Sequence, residues 1–254
     1  MGNQRWMRRM CSNGLKLFKR EALKENLQVF TLEETKPDQK YNPLPAREIK
    51  TRSYGGIGWR ISYDNPEGII EGFSKLYIKT EYRLAAYQYQ EVDNGNGIVW
   101  AIPIHNSLPE PDECSRLNNQ FLSPPKPSFA CDEFMEAIDG DHTPLSYLQA
   151  AIAYHKLKEF GAMWHGISWG EDRLLTSLDS SEWDWVIGEI IPKLIRPHFY
   201  YDKKGRPVIV FHTINPIGTL TLNRYEHTFE SHGYRLTCKK TVLATDQDGG
   251  GLIF

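Results

Sequence analysis

Cysteine is scarce: the 254 residues hold four, Cys11, Cys114, Cys131 and Cys238, scattered along the chain with no CxxC pair. That excludes a disulfide scaffold and a thiolate zinc ribbon, and points to reduced thiols in a cytoplasmic setting. The eight histidines show no HxxxH or HExxH spacing, so no helical metal pair is written into the chain and no cofactor is expected. No Walker loop is present. Gly55-Gly56-Ile57-Gly58 lacks the third glycine, the preceding strand and the following helix of a dinucleotide fingerprint. Long hydrophobic runs are also missing. The longest, Gly97 to Ile104, is too short to cross a bilayer, and no signal-peptide pattern opens the sequence. No internal repeat occurs.

Charge of one sign is missing overall, since the formal net charge is −2, but the distribution is segmented. Residues 1–30 carry Arg5, Arg8, Arg9, Lys16, Lys19, Arg20 and Lys24 against Glu21 and Glu25. Ser107 to His142 holds eight acidic residues against two basic, and Lys193 to Lys240 nine basic against three acidic. The division predicts a basic N-terminal segment and Pro-containing linker over 1–46, then a single domain over 47–254. The Pro-rich loop 107–128 is a sub-boundary within it.

The strongest local signal is a helix over about 143–160. Thr143 suits the cap, Pro144 the first turn, and Gly161 the left-handed position that ends a helix. Leu145, Leu148, Ile152 and His155 share one side. Ala150, Ala153, Leu157 and Phe160 cover another, leaving a narrow polar strip at Gln149 and Lys156. The pattern predicts a helix packed on two sides, and His155 reads as a core histidine.

Elsewhere the period is two. Ile57 to Tyr63, Leu76 to Ile78, Glu81 to Val92 and Ile98 to Ile104 read as strands, the last two joined through Asn94-Gly95-Asn96-Gly97. Cys131 to Ile138 reads as a short helix and Ser181 to Ile191 as a third. Trp183 and Trp185 cannot share one helical face, which leaves a strand there as the alternative. His198 to Tyr201, Pro207 to Ile214, Thr219 to Tyr225 and Tyr234 to Cys238 are strands again. The fold class expected is α+β, with antiparallel sheet in both halves around a central buried helix and no βαβ rhythm.

For chemistry, Gly166-Ile167-Ser168-Trp169-Gly170 matches GxSxG, with Asp202 and His212, or Glu226 and His227, following in hydrolase order. A nucleophile elbow needs a buried parallel strand before the serine, and the Gly161 helix stop leaves no room for one. Tryptophan supplies the alternative. Trp164, Trp169, Trp183 and Trp185 lie close in sequence to His165, Glu171, Asp172 and Arg173, and indoles concentrate where binding energy does. The sequence therefore predicts a non-catalytic binding or assembly module acting through a Trp-rich acidic turn, with a protein as partner. The basic N-terminal and C-terminal segments offer nucleic acid as a weaker alternative.

Overall fold

The computed structural model describes residues 27–37, 57–91, 94–162, 169–178, 183–186, 189 and 192–246. In chain order its strands are β1 (Gln28–Val29), β2 (Gly58–Ile61), β3 (Leu76–Ile78), β4 (Tyr82–Glu91), β5 (Asn94–Pro103), β6 (Ser115–Arg116) and β7 (Pro125–Lys126). They continue as β8 (Ile138–Gly140), β9 (Arg173–Leu174), β10 (Asp184–Trp185), β11 (His198–Tyr201), β12 (Pro207–Asn215), β13 (Leu220–Phe229) and β14 (Leu236–Asp246). The α-helices among the described residues are α1 (Glu67–Glu71) and α2 (Pro144–Lys158).

Helix α2 begins where its sequence predicts. The Thr143 hydroxyl accepts from Ser146 N at 3.4 Å, Pro144 occupies the first turn, and Gly161 beyond its end has φ +76°. Leu148 and Ile152 are buried, and only Lys156 and Lys158 of the helix are exposed. The polar strip at Gln149 is a misreading. Gln149 is fully buried, and its Oε1 accepts from Lys75 N at 3.1 Å, satisfying a loop amide that no strand pairs.

Strands pair antiparallel throughout. The main sheet runs β1-β11-β12-β13-β14-β10, with β9 added to β12, and a second sheet runs β2-β4-β5. Strand dominates, at 40% against 18% helix, so α+β describes the fold only roughly. One core joins Leu84, Val99 and Ala101 of the hairpin, the buried side chains of α2, and Ile209, Phe211, Tyr225 and Phe229 of the main sheet. Helix α2 is thus sandwiched between the hairpin and the main sheet. Gln28 and Val29 pair with Phe199 and His198, and Phe30 enters this same core, so the sheet begins before the prolines.

The other face of the main sheet carries different residues, because side chains alternate along a strand. Val208 and Val210 pack with Tyr200, while Leu222 and Ala244 pack with Trp183 and Trp185. Asp184–Trp185 pairs with Thr245 and Ala244, which corrects the expectation of a helix over 181–191. Two indoles two residues apart fall on one side of a strand, where Leu222 and Leu243 receive them. The short helix expected over 131–138 is a 3-10 turn, Phe134–Ala137, running into β8.

The hairpin forms, but Asn94-Gly95-Asn96-Gly97 is not its turn. Asn94 already faces Glu91 in the ladder, and those four residues are strand. Gly97 is required there for a different reason: a Cβ would collide with the carbonyl of Phe160, where α2 ends against β5. The Pro-rich loop 107–128 closes over the outer side of the hairpin. It supplies the carbonyl of Pro125 to Trp100 Nε1 at 2.9 Å and that of Leu122 to Trp59 Nε1 at 2.8 Å.

Candidate functional site

Three elements bring His155, His227 and Cys238 together. Helical spacing puts His155 on the side of α2 that meets the main sheet. Alternation puts His227 on the same face of β13 as Tyr225 and Phe229, and Cys238 lies directly opposite His227 in the β13–β14 ladder. The two histidine Nε2 atoms stand 2.8 Å apart, and Cys238 Sγ lies 3.9 Å from His155 Nε2. His227 is fully buried, His155 nearly so, and Cys238 partly.

This environment keeps all three groups neutral. Burial, reinforced by His227 alongside, holds His155 down at about 2, and burial holds His227 at about 3. Burial pushes the Cys238 thiol up to about 11, against the opposing pull of Lys158 and Lys240. A thiol so placed is a poor nucleophile. Neutral imidazoles beside a thiol are instead a set of ligand-type donors.

Trp169 roofs the cluster, its indole stacked on the His155 ring at 4.2 Å with 17° between planes. The turn that carries it is fastened by two carboxylates. Glu159, at the end of α2, accepts from the backbone N–H of Trp169 and, at 2.8 Å, from that of Gly170. Asp172, whose side chain is wholly buried, accepts from Tyr225 Oη at 2.5 Å and Thr213 Oγ1 at 3.0 Å, with Lys240 Nζ at 3.8 Å. Burial and the Asp172 carboxylate together push the Tyr225 phenol far above its ordinary range, so it stays a donor.

The residues proposed from sequence therefore have distinct fates. Trp169 and Asp172 belong to this site, Glu171 flanks it partly buried, and Arg173 is exposed on β9. Trp183 and Trp185 lie on the opposite face of the sheet, so the tryptophans do not make one surface. Trp164, His165 and Ser168 lie outside the described residues. Asp202 is engaged by Arg206, Nε at 2.8 Å and a second nitrogen at 2.7 Å, in the β11–β12 turn. His212 is buried on the outer face with Nδ1 on the carbonyl of Ile195 at 3.0 Å. His212 stands five residue steps along the strand from Pro207 beside that turn, roughly 17 Å at the usual rise, so Asp202 and His212 form no dyad.

Sequence reasoning missed His155 and Cys238 as members of a site. Their positions on a helical stripe and on an alternating strand were readable, but not the packing that makes them meet. Compared with family models, curated proteins and solved structures, the chain matches none.

Proposed function

We propose that the protein is a non-catalytic binding module, with its recognition pocket beside Trp169. A cavity of about 480 Å³ lies there, bounded by Lys36 and Pro37, by Lys156 of α2 and Glu159 at its C-terminal end, and by the Trp169–Leu174 segment. That volume suits a small ligand. Of the acidic residues of this turn Asp172 is engaged within the fold, while Glu171 is partly exposed. Lys156 is different: it is exposed overall, with its ammonium desolvated enough to lower its pKa, and it makes no salt bridge among the described residues.

The single observation that carries the reading is this pairing of a free ammonium with an indole in one cavity. An indole offers a flat apolar surface and an ammonium an anion partner. The chemistry favours a small anion with a planar body, such as an aromatic carboxylate or a nucleoside monophosphate.

Calorimetric titration with a panel of those two classes tests it. The expected result is saturable binding by at least one class, weakened at least about tenfold, or 1.4 kcal/mol, by Lys156→Glu. Trp169→Leu should weaken it too. No binding, or binding indifferent to both substitutions, would remove the proposal.

A further inference from the structure

We propose that His155, His227 and Cys238 form a binding site for a thiophilic d-block cation of the zinc type. The three donor atoms all lie within 4.8 Å of one another, the Nε2 atoms 2.8 Å apart and Cys238 Sγ 3.9 Å from His155 Nε2, so small side-chain rotations would bring an ion to the usual bonding distances of about 2.0–2.1 Å to nitrogen and 2.3 Å to sulfur. Two imidazoles and a thiolate match zinc, whereas a calcium or magnesium site would be built of oxygens. Among the described residues no other group of His, Cys, Asp or Glu side chains converges in this way.

Packing alone gives little reason for the arrangement. Phe or Leu at 155 and 227 would fill the space between α2 and the sheet without desolvating four ring nitrogens. As it stands, the 2.8 Å contact satisfies one nitrogen of each ring and leaves the Cys238 thiol 3.9 Å from His155 Nε2. An ion placed between the rings would take the lone pair of each Nε2 and the charge of the thiolate. The ligands sit on one helix and two paired strands, which gives them fixed backbones.

The site also has an outer shell. Trp169 stacks on His155 and Tyr225 meets it edge-on at 5.0 Å, which fixes the ring and limits access by water. Three protein donors leave one position of a tetrahedral ion open. This inference does not depend on the Lys156 pocket, since none of its ligands borders that cavity.

The test is a cobalt(II) titration of reduced, chelator-stripped full-length protein, with cobalt standing in for zinc. One equivalent should produce a thiolate-to-cobalt charge-transfer band, which zinc then abolishes by displacement. Cys238→Ser should lose the band and bind at least a hundredfold more weakly, while near-UV circular dichroism confirms that this variant remains folded. His227→Gln should lose it as well; if that variant fails to fold, Cys238→Ser alone decides. Absence of the band in the wild type, or its persistence in Cys238→Ser, would overturn the proposal and leave a structural histidine pair. Capture of copper(I) with neither cobalt nor zinc bound would overturn the assignment to a zinc-type ion.

Discussion

Asp172 and Tyr225 meet in a hydrogen bond of 2.5 Å between a wholly buried carboxylate and a phenol 53 residues away in sequence. The bond ties the turn bearing Trp169 to the centre of the main sheet. Tyr225→Phe removes one donor from a buried carboxylate and should cost about 1.5–3 kcal/mol, the range for hydrogen bonds to charged groups. Urea unfolding would measure it. Unfolding midpoints unchanged from wild type would show that the turn is not held this way. Because Trp169 stands on the same turn, the variant should also shift the tryptophan emission of the folded protein.

A second expectation concerns acid. His155, His227 and His212 are all held by burial well below the ordinary histidine range, His212 at about 4. The unfolded chain takes up a proton on each near pH 6.5, and the folded chain does not. Stability is therefore full above that pH and falls as the pH drops through it, by about 1.4 kcal/mol per pH unit for each histidine. The His212 share of the fall ends near pH 4, where that ring charges in the fold, while the shares of His155 and His227 continue below it. Metal-free protein should thus lose several kcal/mol between pH 7 and pH 5, and His212→Leu should show a shallower slope. A flat profile over that window would contradict the burial of these rings.

Helix α2 should be the least tolerant element. Leu148→Ala and Ile152→Ala each remove buried aliphatic surface and leave a cavity, costing about 2–5 kcal/mol. Gly161→Val places a β-branched residue at φ +76°, and Gly97→Ala drives a methyl group into the Phe160 carbonyl. Chemical denaturation of the four variants checks this, with wild-type midpoints as the contrary result.

The thiols should separate by reactivity. With its pKa raised to about 11, Cys238 of the metal-free protein is thiolate in only about one molecule in a thousand at pH 8. Mass spectrometry after brief alkylation should find Cys238 unmodified until the protein is unfolded. Rapid alkylation in the native state would show the thiol to be neither buried nor raised.

Much of the fold was legible because its signals are local. Thr143, Pro144 and Gly161 bound the long helix, while the short apolar run in 207–214 and the alternation in 234–238 mark strands whatever they pack against. The errors arose where a residue type serves two purposes. Gly97 looked like turn chemistry but permits a close backbone approach, and Gln149 looked like a solvent strip but closes a buried amide. The site was hidden for a related reason. His155 and His227 are 72 residues apart, and no local period says which face of the sheet a helix will cover. Trp183 and Trp185 show the converse, since nearness in sequence to Trp169 did not put them on its side of the sheet.

The central claim is that α2 and the main sheet bring His155 and His227 together under Trp169. Imidazole nitrogen chemical shifts of selectively labelled, metal-free protein test it most directly. Both rings should remain neutral from pH 8 to pH 5, and a nuclear Overhauser contact should link the His155 ring to the Trp169 indole. Ordinary titration of either ring near pH 6.5, with no contact between His155 and Trp169, would contradict the account.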